Sequence, residues 1–304
     1  MNGYKKIIRN QETRYRILRY LSFIPDNLML RLQYRIKMGR KLNLEDPRRY
    51  SEKLQWYKLN YRNPLMQQCS DKASVREYVE SKGLGGILNQ CYGVYEKVED
   101  ICWDDLPDSF VIKDTLGGGG RSMIFVNEKS KLNKDAACTT MQRWLDTPVN
   151  EKSLGREWVY EGKKHRIIIE KLIVAKEDGD LPDIKFFCFN GKVYCSYLMQ
   201  HYTLHHELGE LAFIDRDFKQ ILAYRRDFKP LSQLPQKFDN YEKMIEIAEK
   251  LSGEFPHVRV DLYNVKGQII FGELTFFNAS GYTQFTPDEF DFTLGEKFIL
   301  PNRK

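Results

Sequence analysis

The stretch FPHVRVDLYNVKGQIIFGELTFFN, Phe255 to Asn278, decides how this chain of 304 residues is read. Apolar residues recur at every second position on both sides of Lys266-Gly267, which reads as two strands joined by a tight turn. Arg259, Asp261, Glu273 and Thr275 are set into those strands, and parity decides whether the two carboxylates meet. An odd loop, Val265-Lys266-Gly267 with Gly267 left-handed, puts all four on one face, whereas a two-residue loop separates them. Carboxylates sharing a face repel unless a cation lies between them, and hard oxygen donors suit a magnesium ion bound to a nucleotide's phosphates. A solvated polar face is the competing reading. The apolar neighbours Val258, Val260, Leu262, Ile270 and Phe271 weigh against it.

Upstream, FVIKDTLGGGGRSMIFV (Phe110–Val126) places four consecutive glycines between two strand-like runs. A P-loop ends in Gly-Lys-Ser/Thr, but here Gly120 is followed by Arg121 and Ser122. A protein-kinase loop has its lysine on a later strand, whereas Lys113 comes before the glycines. A plain turn needs one or two glycines, and each further one costs backbone entropy. Backbone N–H groups brought close to an anion offset that cost, so Lys113, the glycines and Arg121 read as a loop that covers a triphosphate.

Around these stretches the sequence mixes helices and strands without regular β-α-β alternation, which predicts an α+β fold with largely antiparallel sheets. Helices are expected at Ser51–Leu59, Asp71–Gly83, Lys134–Leu145 and Tyr241–Leu251. Strands are expected at Ile87–Tyr95, Phe110–Lys113, Met123–Val126 and Arg166–Val174, and Asn190-Gly191 marks a further hairpin. The expected division is a basic helical arm over 1–50, an intermediate region over 51–108 and the main domain over 109–304.

The net charge of +6 is unevenly spread: residues 1–42 hold eleven Lys and Arg against Glu12 and Asp26. Leucines and isoleucines interleave with those arginines, as on helices with one apolar and one basic face. Docking on the body, an anionic membrane surface and a nucleic acid backbone are the three readings of that arm. Nucleic acid is the minor one, since Trp56, Trp103, Trp144 and Trp158 form no stacking motif. The six cysteines include no Cys-x-x-Cys pair and read as reduced thiols. No apolar run approaches the ~18 residues of a membrane span, and the expected location is the cytoplasm, with the arm as the route to a membrane's inner face. His201, His205 and His206 have helical metal spacing but lack the glutamate of a His-Glu-x-x-His site, so zinc is not the favoured reading.

Taken together, Lys113 with Gly117, Gly118, Gly119 and Gly120, then IIIEKLI, then an Asp and a Glu on successive strands, resemble the ATP-grasp fold. Within it the chain resembles the TupA-like group associated with teichuronopeptide and capsule biosynthesis, through SEKLQW, DKASVREYV, GREW and LPDIKFFCFNGK as well as the last hairpin. The resemblance runs from Ser51 to the C-terminus. It implies that Lys72 and Lys113 contact the phosphates of ATP, that the glycines close over them, and that Glu170, Lys171 and Leu172 form the hinge receiving adenine. It further implies that Asp261 and Glu273 hold Mg²⁺ and that Arg259 faces the transferred phosphoryl group. Asp183 and Lys185, two apart on a strand, share a face and reach toward the nucleotide or pair with a neighbouring strand. The family's Glu-x-Asn is Glu273-Leu274-Thr275 here, so the third metal ligand is Thr275, Asn278 or water.

The implied reaction joins a carboxylate to an amine through an acyl phosphate, with a carboxylated sugar of a cell-surface polysaccharide precursor and an amino acid as the expected pair. The runner-up sends the γ-phosphate to a hydroxyl. A nucleotide- or polymer-binding protein without turnover is the third class.

Overall fold

The computed structural model describes residues 10–118, 122–149, 152–173, 183–200 and 209–302. Two helices, α1 (Gln11–Tyr20) and α2 (Asp26–Met38), make the arm. They lead into α3 (Tyr50–Asn60), α4 (Pro64–Ser70) and α5 (Val75–Ser81). Strands β1 (Cys91–Tyr95), β2 (Phe110–Asp114) and β3 (Met123–Val126), helix α6 (Lys134–Leu145) and strand β4 (Ile167–Lys171) build one sheet and its cover. The chain continues through β5 (Asp183–Phe189), β6 (Lys192–Gln200), β7 (Glu210–Ile214) and the short strands β8 (Gln220–Ile221), β9 (Tyr224–Arg225) and β10 (Lys229–Pro230). It ends with α7 (Tyr241–Ser252), β11 (His257–Val265), β12 (Gln268–Thr275), β13 (Phe285–Thr286) and α8 (Glu289–Lys297).

Four antiparallel strands in the order β1-β4-β2-β3 form the smaller sheet. Its core is its own: Phe110, Ile112, Val126, Ile167 and Ile169 pack with Ala137 and Met141 of α6. The larger sheet runs β10-β7-β6-β5-β11-β12, with β8 on the outer side of β7, and only β10 pairs in parallel. Strand β5 is buried along nearly its whole length, as expected where both faces are covered. Phe186, Val260 and Leu262 share a second core with Tyr241, Met244 and Ala248 of α7 and with Leu54 and Tyr57 of α3. Helix α3 buries Tyr50, Leu54, Gln55, Trp56, Tyr57 and Lys58 around its whole circumference. A helix that touches neighbours on every side has no solvated face to mark it in sequence.

Local signals explain the boundaries. The Asp71 carboxylate accepts the backbone N–H groups of Ala73 (3.0 Å) and Ser74 (2.8 Å), so the chain turns before α5 begins at Val75. Gly83, left-handed at φ 66°, ends that helix, with Leu84 N–H bonding Val79 O at 3.1 Å. Asn190 and Gly191 have φ of 50° and 76°, the two positive values that a twisted hairpin requires. The strand expected from Ile87 begins only at Cys91. Asn89 spends its side chain on Gln90 N–H and on Lys171 O, at 3.0 and 2.8 Å, instead of leaving the segment to a ladder. The smaller sheet also crosses residue 108, since β1 pairs with β4. The arm packs on the body through Leu30, Tyr34 and Met38 against Leu42, Leu44 and Trp56.

Candidate functional site

The last hairpin has a two-residue loop, Lys266-Gly267 (φ 51° and 85°), with Val265 opposite Gln268. Of the two loops open from sequence the two-residue one is formed, and by parity alone it would separate Asp261 from Glu273. A bulge reverses the outcome. Leu262 pairs with Phe271 but Asp261 pairs with Glu273, so Gly272 is an extra residue left out of the ladder, and its bulging out keeps the two carboxylates on one face. A Cβ on Gly272 would lie 3.0 Å from Asp261 O, which is why glycine occupies the bulge.

Strand β5 brings Asp183 and Lys185 beside the hairpin: Lys185 is the cross-strand partner of Asp261, and Asp183 of Tyr263. One face of three adjacent strands therefore carries Asp183, Lys185, Arg259, Asp261, Glu273 and Thr275, while Ile184, Phe186, Val260 and Leu274 go to the core behind. The Arg259 guanidinium ties the group together. Nε and Nη2 donate to the two oxygens of Asp261, each at 2.7 Å, and Nη2 also reaches Glu273 Oε1 at 3.0 Å and Thr275 Oγ1 at 2.9 Å. Nη1 donates to Asn278 Oδ1 and, at 3.3 Å, to Tyr197 Oη. Lys185 Nζ bridges Asp183 and Asp261.

The electrostatics follow from this packing. Burial would raise Glu273, but Arg259, Lys185 and Lys72 hold its carboxyl at about 2. Burial lifts Asp183 to about 6 against the pull of Lys185, with the Asp261 charge adding to the rise. Burial would lower Lys185, yet Asp183 and Asp261 outweigh it and keep the ammonium well above its ordinary value. Among the described residues Asp183 Oδ1 and Asn278 Nδ2 are buried without a hydrogen-bond partner, a costly state unless another group completes it. Among the described residues no three His, Cys, Asp or Glu side chains form a metal cage by themselves. Two carboxylates and a hydroxyl nonetheless fit Mg²⁺, which keeps one or two protein carboxylates and takes its other oxygens from phosphates and water.

Across the cleft, the smaller sheet supplies the other charges. Lys113 Nζ pairs with Glu170 at 2.7 Å, and Arg76 on α5 holds the second Glu170 oxygen at 3.2 Å. Lys72 anchors the glycine loop: its N–H bonds Thr115 O at 2.9 Å and its ammonium bonds Gly117 O. Burial lowers Lys72, and the charges of Glu273 and Asp114 oppose the shift. Gly117 has no room for a side chain, since a Cβ would lie 2.4 Å from that of Ser122. Gly118 is exposed; Gly119, Gly120 and Arg121 lie outside the described residues, as do His201, His205 and His206. At the hinge, Lys171 N–H donates to Gln90 O at 2.9 Å and its carbonyl accepts from Asn89, while its side chain is exposed beside half-buried Leu172.

Two further segments, around Glu157 and Ser280, meet at Lys58, a residue to which the sequence assigned no role. Lys58, 1% exposed, donates to Gly155 O (2.7 Å), Ser280 O (2.8 Å) and Gln55 Oε1 (3.2 Å). Burial pulls it down to about 7, opposed by Glu157. The Ser280 hydroxyl bonds Glu157, and Arg156, Ala279 and Ser280 all hold positive φ. Burial raises Tyr160, and the charges of Glu157 and Glu273 add to the rise. Nothing in SEKLQWYKL sets Lys58 apart from Lys53, because polar and apolar residues are spread around the whole helix. Arg76 lay one turn beyond Lys72.

A family model described as TupA-like ATPgrasp matches residues 52–299. No curated protein matches the chain. Among solved structures, D-alanine–D-alanine ligase from Bacillus anthracis is 18% identical, with 68% of this chain and 57% of that one covered at a TM-score of 0.41. The corresponding ligase from Helicobacter pylori is 16% identical, covering 77% and 61% at 0.45. N5-carboxyaminoimidazole synthetase from Staphylococcus aureus, complexed with ADP, is 12% identical, covering 77% and 53% at 0.44. The chain spans less than two thirds of the length of each of these proteins.

Proposed function

The chain belongs to the TupA-like ATP-grasp family, and from that premise we propose that it is an ATP-dependent carboxylate–amine ligase. The observation that carries this reading is the single polar face on β5, β11 and β12, which gathers Lys185, Arg259, Asp261 and Glu273 on adjacent strands. Lys72 and Lys113 would bind and orient the nucleotide's phosphates, and the backbone of Glu170, Lys171 and Leu172 would receive adenine. Arg259 and Lys185 would offset charge on the γ-phosphoryl group during transfer. Asp261, Glu273 and Thr275 would hold Mg²⁺, which when bound neutralises phosphate charge.

An amine cannot displace oxide from a carboxylate near pH 7. The carboxylate oxygen therefore attacks the γ-phosphorus, the bond to the β-phosphate oxygen breaks, and ADP leaves. The amine nitrogen then attacks the acyl carbon, phosphate departs, and the nitrogen loses a proton. The glycine loop's part is to keep water from the acyl phosphate. No side-chain nucleophile is required. The substrate reading is a carboxylated sugar of a polysaccharide precursor with an amino acid as the amine, in the cytoplasm.

Hydroxylamine intercepts an acyl phosphate, so incubation with Mg-ATP and a panel of uronic acids is expected to give hydroxamate and ADP in equal amounts. The buried, partner-short Asp183 favours one second reading, since it could take a proton from a sugar hydroxyl. A stable phosphorylated sugar without hydroxamate rejects the ligase in favour of that phosphotransferase.

A further inference from the structure

Helix α2 is apolar on two sides. Met29, Leu30, Tyr34 and Met38 are buried, whereas Leu28, Leu32 and Ile36, each one turn apart, are 58%, 46% and 47% exposed. A helix docked on a body needs only the first stripe. The second continues into α1 and the turn after it, where Ile17, Tyr20 and Phe23 are exposed as well. These six are half of the twelve exposed large apolar side chains described in the whole chain. Single exposed apolar residues are ordinary, but a concentration of them on one element marks an interaction surface. Arg16, Arg19, Arg35 and Lys41 are exposed on the same stretch. Asp26, the one acid of α2, turns to the body instead, lying 3.1 Å from Lys152 and 3.3 Å from Arg156.

We propose that this outward face of the arm docks on an anionic lipid bilayer. The interface of such a bilayer takes both kinds of side chain at once: leucines and isoleucines enter the acyl boundary, Tyr20 sits at headgroup depth, and guanidinium groups meet lipid phosphates. A nucleic acid would use the arginines and leave the apolar stripe in water. A second protein would use the stripe and gain little from the exposed arginines.

The opposite side of the arm says what docking would bring to the surface. Gln33 donates to Leu154 O at 2.9 Å and accepts from Tyr282 at 2.9 Å. Arg156 donates to Leu21 O and Ser22 O at 2.9 and 3.0 Å. The helices that face outward thus hold, on their inner side, the two loops that adjoin Asn278 and Glu157. Docking sets the acceptor end of the cleft beside the bilayer, where an amphiphilic, lipid-anchored acceptor would present its polar head. That last step rests on the ligase reading; the docking itself does not.

The test is sedimentation of the full chain with vesicles of phosphatidylglycerol or of phosphatidylcholine, at low and high salt. Two double variants accompany it, Leu28→Glu with Leu32→Glu and Arg16→Glu with Arg35→Glu, both remote from the nucleotide site and expected to bind Mg-ATP as the parent does. Retention on phosphatidylglycerol alone, at least tenfold weaker in either variant and in high salt, is the expected result. Equal retention on both vesicle types overturns the proposal, as does equal retention of parent and both variants. No vesicle retention at all, or a dimer that Leu28→Glu with Leu32→Glu dissociates while vesicles capture nothing, assigns the stripe to another partner and also overturns it.

Discussion

Asp261 and Glu273 stand opposite each other across the last hairpin because Gly272 is bulged out of the ladder between them and Leu262–Phe271. Were Gly272 paired in regular alternation, every residue from Glu273 onward would turn to the other face, sending the carboxylate toward the core and Leu274 toward the polar face. Deleting Gly272 would equalise the two arms and keep Asp261 opposite Glu273, so ADP formation is expected to persist in that variant. Gly272→Val, which meets Asp261 O and the Tyr263 ring, should cost about 1–3 kcal/mol in urea unfolding. Loss of turnover in the deletion variant would show that the bulge itself, beyond the pairing it preserves, shapes the site.

Asp261→Asn and Glu273→Gln should both stop magnesium-dependent turnover yet differ in stability. Sequence alone suggests that removing either one relieves repulsion, but Arg259 lies within hydrogen-bond reach of both. Asp261 is 1% exposed and partners two buried cations. Losing its charge should cost about 3–5 kcal/mol. The Glu273 side chain is 46% exposed, and its loss should stay within about 1 kcal/mol. Equal melting temperatures would contradict this account.

Lys113→Ala should weaken Mg-ATP binding at least tenfold, roughly 1.4 kcal/mol or more by calorimetry, with little change in melting temperature. The reason is that Glu170 keeps Arg76 after Lys113 is gone, so no buried charge is left alone. A large fall in melting temperature would assign Lys113 to the framework of the smaller sheet.

Whether the two carboxylates share a face was left to loop parity, whereas the alternation along β11 and β12, the Asn190-Gly191 turn and the glycine run made the strands and the fold class readable from sequence. The bulge that delivers that face was not, because a glycine in a strand signals either a weak point or an insertion, and only the pairing partner distinguishes them. Lys58 was hidden for a different reason. A lysine in a helix that also holds Ser51, Glu52, Lys53 and Gln55 reads as one more solvated residue, and the carbonyls that satisfy it come from residues 155 and 280, far away in the chain.

His257 supplies a pH test. Its Nδ1–H donates to Cys188 O at 2.9 Å and its Nε2 accepts from Tyr50 at 2.9 Å. Burial, aided by the Arg259 charge and opposed by the Cys188 bond, lowers its pKa to about 3. Below about pH 6.5 the unfolded chain takes up a proton that the folded chain refuses. The stability this group contributes is thus complete above that pH and drains away as pH falls toward 3, by about 1.4 kcal/mol per unit at most. His257→Gln should flatten urea-derived stability between pH 6 and 4 by one proton's worth. An unchanged slope would mean that the imidazole is not held neutral.

The smaller sheet has a core of its own, separate from that of the larger one, and polar ties such as Arg166 to Asp71 at 2.8 Å and Lys72 to Thr115 O at 2.9 Å join them. Separate apolar cores lose amide protection as separate cooperative units. Deuterium should therefore enter β2 and β4 together, and earlier than β5 and β11. A bound nucleotide spanning the cleft would slow the first group far more than the second, and the gap between the two exchange rates would then measure how far the clasp is shut.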